Sequence, residues 1–152
     1  MDYFNDLIST GSMNLFLIQE KGKNGYYAES LDNGVVCYIS NLTNRINFLN
    51  DEKLITYNSK IPLEKLFKLM KKHKKDIPNT YAPKDEIKKF FRSIVPEYNE
   101  KRVLIKYLRQ IINQFELLLV YEKNKKTSKS ISDKWVAQDP KSMRVVKKLK
   151  LA

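Results

Sequence analysis

Hydrophobic and polar positions change their period once along this 152-residue chain, near position 61. Before it, apolar residues fall in short runs: Leu15–Glu20, Tyr26–Leu31 and Val35–Ile39. These runs are rich in aliphatic, β-branched and aromatic side chains, which suit a pleated, half-buried surface. Lys23-Asn24-Gly25 and Asp32-Asn33-Gly34 separate them, and each Asn-Gly pair is suited to the two positive φ angles of a type I′ hairpin turn. Two such reversals predict a three-stranded antiparallel meander. Upstream, Tyr3, Phe4, Leu7 and Ile8 have helix-like spacing until Ser9-Thr10-Gly11-Ser12 breaks it. This opening is expected to plug one end of the sheet as a helical turn or strand. Ser40–Asn50 reads as a loop with a helical turn that places Leu42, Ile46 and Leu49 inward, and Lys53–Tyr57 reads as one more strand ended by Asn58-Ser59.

From Ile61 the period moves towards 3.6. Pro62 suits a first helical position, where its missing N–H costs nothing, and Leu63, Leu66, Phe67 and Met70 then form one apolar stripe. A linker bounded by Pro78 and Pro83 follows. Ile87, Phe90, Phe91 and Ile94 repeat the spacing in a second helix stopped by Pro96. A third helix carries Leu104, Leu108, Ile111, Ile112, Phe115, Leu118 and Leu119. Helices this short need tertiary packing, so the expected class is α+β. A small curved antiparallel sheet or half-open SH3-like barrel (1–60) precedes a three-helix subdomain (61–121) and a basic tail (122–152), disordered or partly helical. Within the tail, Lys123–Ser132 has the polar composition of a linker, and Pro140 is positioned to begin a short helix.

Charge changes the picture less than its total suggests. The net charge is +12, a value that invites nucleic acid as a partner. Yet Lys, Asn and Ile together fill 50 of the 152 positions, a bias expected of an AT-rich genome. The basic residues are 24 Lys and only five Arg, whereas phosphate and base recognition favours the planar fork of Arg. Residues 122–152 alone carry +7. The excess is in the tail.

Catalytic chemistry finds little support. His73, the only histidine, sits among Lys71, Lys72, Lys74 and Lys75 with no orienting carboxylate beside it. Cys37, the only cysteine, excludes an internal disulfide and any multi-cysteine metal site, and reads as a small buried hydrophobe. Asp32 in a turn and Asp85-Glu86 at a helix start read as structural. Four glycines with no strand-to-helix fingerprint leave no phosphate-cradling loop. The reading is therefore a non-enzyme without cofactor or metal. With no signal-peptide pattern at the start and no apolar run long enough to span a bilayer, it is expected to be cytoplasmic.

Several short matches from Leu7 to Leu119 resemble an uncharacterised family of small cytoplasmic proteins from the Bacteroidota, a domain of unknown function. They are Leu7-Ile8-Ser9, Asn24-Gly25, Glu29-Ser30-Leu31-Asp32, Ile55-Thr56-Tyr57, Ile61-Pro62-Leu63, Val95-Pro96-Glu97-Tyr98 and Arg102-Val103. The chain departs from the family pattern where Lys106-Tyr107 and Gln114-Phe115-Glu116 stand. The resemblance implies a β-then-α layout and brings no activity, substrate or cofactor.

Binding remains. Tyr27 and Tyr38 in the meander are candidate stacking platforms, against the commoner reading that alternation buries such rings. Lys71 and Lys72 at a helix end are candidates for phosphate, against an ordinary solvated face. Tyr98 and Arg102 mark a loop between helices that suits a partner; the structural alternative packs Tyr98 across the junction and pairs Arg102 with Glu97 or Glu100. Trp135, Arg144, Lys147 and Lys148 complete the set in the tail. The expected partner is RNA or a ribonucleoprotein surface. The alternative is a protein–protein adaptor that uses the helices, its positive charge being compositional.

Overall fold

The computed structural model describes residues 2–11 and 13–138, with side chains for 3–11 and 13–124. A 3-10 turn (Asp2–Asp6) leads into β1 (Leu7–Ser9), and the meander follows as β2 (Phe16–Gly22), β3 (Gly25–Ser30) and β4 (Val36–Ser40). Next come β5 (Asn47–Phe48), the hairpin β6 (Lys53–Ile55) and β7 (Lys60–Pro62), and the helices α1 (Leu63–Lys72), α2 (Lys84–Ile94) and α3 (Ile105–Gln138). The first five strands form an antiparallel sheet in the order β4-β3-β2-β1-β5. It stays open rather than closing into a barrel, so of the two expected forms the chain adopts the small sheet. The class is α+β.

Both reversals lie where expected, but neither is a type I′ turn. Among the described residues only Gly11 and Gly34 have positive φ. In the first hairpin Gly22 faces Gly25 across the turn Lys23-Asn24. A Cβ on Gly25 would run into the Ile39 carbonyl, and one on Gly22 would lie 2.6 Å from the Tyr38 ring. Close approach, not left-handed backbone, requires these glycines. In the second reversal only Gly34 (φ +74°) is left-handed. Its N–H donates to the Ser30 carbonyl (2.8 Å), and the Asn33 side chain accepts the Val35 N–H (2.9 Å), a local turn that Asn makes readily.

Alternation along the strands places two apolar groups on opposite faces. Leu7 and Leu17 join Phe4, Leu15, Leu31 and Leu49 in the main core with Leu54, the α1 stripe, Ile87, Phe91, Tyr98 and the inner face of α3. Edge-on and tilted ring contacts run through it, Phe4 to Phe67 at 6.0 Å and Phe67 to Phe115 at 5.8 Å. The N-terminal turn, α1 and α3 are therefore packed as one body. On the far face Ile8, Ala28 and Ile39 gather with Phe16, Ile18, Tyr26, Ile46 and Phe48.

Other expectations are corrected. Cys37 is exposed, because β4 is an edge strand and little packs over its outer half. Leu42, expected to point inward from a helical turn, is 75% exposed in the turn after β4, and Leu104, expected on the stripe of the third helix, is 72% exposed because it precedes α3. Lys53–Ile55 pairs with Lys60–Pro62, outside the main sheet. Pro62 consequently ends a strand and precedes the helix, with φ −58° and ψ 142°. The third helix continues past position 121 to Gln138. Asp139 to Ala152 lie outside the described residues.

Candidate functional site

Basic side chains collect at one end of α1. Lys71 and Lys72 close the helix, and His73, Lys74 and Lys75 continue from it; all five are exposed. The stripe Leu63, Leu66, Phe67 and Met70 is buried in the core, so helical geometry turns the lysines outward. Lys71 is not free: its Nζ lies 3.5 Å from Glu122 on α3. The other oxygen of that carboxylate accepts a hydrogen bond from the Tyr3 hydroxyl at 2.6 Å. Burial pushes the Tyr3 phenol up, and the bond to Glu122 adds to it. Glu122 thus ties the N-terminal turn and the basic end of α1 to one point on α3. Immediately beyond it α3 carries Lys123, Lys125, Lys126 and Lys129 on its described backbone. Two lysine-rich segments far apart in sequence meet there. The sequence held both, but nothing in it told that Glu122 joins them.

A second feature lies at the start of α3. A groove of about 320 Å³ is lined by Glu52, Lys53, Ile55, Arg102, Val103, Leu104 and Tyr107. The Tyr107 hydroxyl donates to Glu52 at 3.3 Å, and its phenol is pushed up, chiefly by burial. Leu104 forms an exposed apolar lip. A third, more polar cleft of about 440 Å³ lies between the end of β3 with the reversal after it (residues 29–34) and Val120, Tyr121 and Asn124 on α3.

The remaining candidates fall as follows. Tyr38 lies over Gly22, accepts the Asn24 N–H at 3.0 Å and packs on Tyr27 with ring centroids 4.9 Å apart. These two rings tether the hairpin, and Tyr38 keeps 41% of its surface exposed. Tyr98 is only 1% exposed, inside the core against Phe91, which is out of a partner's reach. Arg102 is exposed at the groove, and the expected pairing with Glu97 or Glu100 is replaced by one between Arg92 and Glu100 at 3.7 Å. Trp135 stands on the described backbone of α3, its side chain outside the description. Arg144, Lys147 and Lys148 lie outside the described residues. Among the described residues no three His, Cys, Asp or Glu side chains gather to hold a metal ion, and no helix is long and apolar enough to cross a membrane.

These features describe a small open-sheet α+β protein whose distinctive surface is basic. Residues 53–118 match the model of a family described as a domain of unknown function (DUF6852). A solution NMR structure of a protein from Bacteroides vulgatus is similar in fold, with a TM-score of 0.61 at 20% identity, covering 78% of this chain and 87% of that one. No curated protein matches the chain. The resemblance to an uncharacterised Bacteroidota family therefore holds, and it brings a fold without an activity.

Proposed function

We propose that this chain is a non-enzymatic cytoplasmic binding module that contacts RNA or a ribonucleoprotein through the basic surface where α1 meets α3. The observation that carries the reading is the Lys71–Glu122 contact, which brings the exposed Lys72, Lys74 and Lys75 beside the lysine-rich start of the α3 extension. A clustered stripe of cations on one side of a molecule attracts phosphate by releasing condensed counterions. The sheet aromatics contribute little in this reading, because Tyr27 and Tyr38 are already engaged with each other.

Filter binding of single-stranded RNA tests it. Affinity should fall steeply with salt, and Lys74→Glu with Lys75→Glu should weaken binding at every salt concentration. If each lysine meets one phosphate, losing both reduces the slope of log affinity against log salt by about 1.4. No retention of RNA at low salt would sink the reading. The groove at Arg102, Leu104 and Tyr107 supports a second one, an adaptor for another protein, since Leu104 exposes 72% of its surface beside an apolar hollow. Binding through that groove would be nearly insensitive to salt and would be lost in Leu104→Asp.

A further inference from the structure

The two edges of the main sheet are protected differently. β5 spans only Asn47–Phe48, and so short an edge offers little to pair with. β4 is longer, and the run Val35-Val36-Cys37-Tyr38-Ile39 has no charge, no proline and no bulge, so the usual guards against strand addition are missing. Val35 and Tyr38, two large apolar side chains that stay exposed (58% and 41%), lie on this run.

The hydrogen-bond phase fixes which groups are open. Ser30 N–H donates to the Val35 carbonyl and Asn41 N–H donates to the Asn24 carbonyl. With Tyr27 opposite Tyr38 in the register, alternation assigns Val35, Cys37 and Ile39 to the ladder with β3, while Val36, Tyr38 and Ser40 point their backbone groups away from it. The Ser40 carbonyl is taken by the Asn44 N–H at 3.0 Å. That leaves Val36 and Tyr38 each with an outward donor and acceptor.

We infer that the β4 edge pairs antiparallel with the β4 edge of a second copy, about a two-fold axis at Cys37. Val36 exchanges both of its backbone hydrogen bonds with the partner's Tyr38, and Tyr38 does the same with the partner's Val36. An antiparallel copy of the same strand satisfies all four open groups, because their spacing of two residues is its own antiparallel complement. Charge agrees. Asp32 lies in the loop before β4, and Lys23 lies at the turn beside its far end, next to Asn24, which bonds to Asn41. Antiparallel pairing brings each Asp32 towards the partner's Lys23. The product is one continuous sheet across two molecules, with Val35 covering the partner's Ile39. It also presents the proposed basic surface twice, but the pairing does not depend on that surface.

Cys37 supplies a probe of the register. In this pairing it faces the partner's Cys37 at a non-hydrogen-bonded position, with Cα atoms about 4.5 Å apart. That lies within the range of roughly 4.4–6.8 Å over which a disulfide closes. The test uses the full chain without nucleic acid. Sedimentation at high micromolar concentration should give twice the mass of the chain. Under mild treatment with diamide, two Cys37 thiols should give up two protons and two electrons to the reagent and leave a covalent dimer, absent in Cys37→Ser. Val36→Pro removes one outward N–H and leaves the β3 ladder intact, so it should return the chain to half that mass and abolish the cross-link. Val36→Lys does the same by charge, should the proline variant fail to fold. A monomer at that concentration overturns the inference, as does a dimer that survives Val36→Lys or one that diamide does not cross-link.

Discussion

At the residue scale, glycines and tyrosines carry the sharpest consequences. At Gly25 a Cβ would meet the Ile39 backbone, whereas at Gly34 it would meet nothing within 4 Å and suffer only the positive φ. Gly34→Ala is therefore expected to cost about 1–2 kcal/mol, and Gly25→Ala more, because backbone cannot step aside as a side chain can. Urea unfolding of the two variants checks the order. Tyr98 is buried, and its hydroxyl has no hydrogen-bond partner among the described residues. Removing an unpaired buried polar group is neutral or stabilising, so Tyr98→Phe should leave stability level or raise it, while Tyr98→Ala should cost about 3–5 kcal/mol. The same unfolding assay separates these outcomes. Tyr3 and Tyr107 both have phenols pushed up, first by burial and then by Glu122 or Glu52. Below about pH 10, the ordinary phenol value, they are neutral folded or unfolded and pH leaves their contribution intact. Above it the unfolded chain releases protons that the folded chain keeps, so stability falls as pH rises. Tyr107→Phe should flatten that alkaline loss in unfolding curves taken between neutral and strongly basic pH.

At the element scale, periodicity was the reliable guide. The stripes Leu63-Leu66-Phe67-Met70 and Ile87-Phe90-Phe91 are buried as their spacing requires. The meander lies where its strand runs and turn residues put it. The structure departs from the periodic pattern at element ends. Pro62 fits the start of a helix and the end of a strand equally well by local chemistry, and its pairing with Lys53 decided for the strand. The Asn-Gly pairs marked reversals but not their type, because Gly25 was needed for its missing side chain and Asn33 for its carbonyl oxygen. At this scale the basic surface also makes a prediction: Glu122→Leu removes both the carboxylate that holds Lys71 and the oxygen that accepts from Tyr3. It should weaken the docking of α1 on α3 and loosen amide protection at the end of α1 in hydrogen exchange, while leaving the sheet unchanged.

For the whole molecule, a single main core draws on both halves of the chain. Phe4, Leu7, Leu15, Leu31 and Leu49 all precede the matched stretch 53–118, yet they pack with its helices. A fragment limited to 53–118 should therefore fail to fold, giving a collapsed amide spectrum, whereas the full chain gives a dispersed one. The amino-acid sequence by itself determined the α+β class, the order of sheet and helices and the inward stripe of each helix, because side-chain periodicity is a local property of backbone geometry. It also held the lysine runs and the uncharged strand Val36–Ser40. Only the tertiary structure decided that this strand forms an edge, that Cys37 is exposed and Tyr98 enclosed, and that Glu122 joins two distant basic segments. Burial and proximity are set by which surfaces meet across the fold, and no single stretch of chain contains that information.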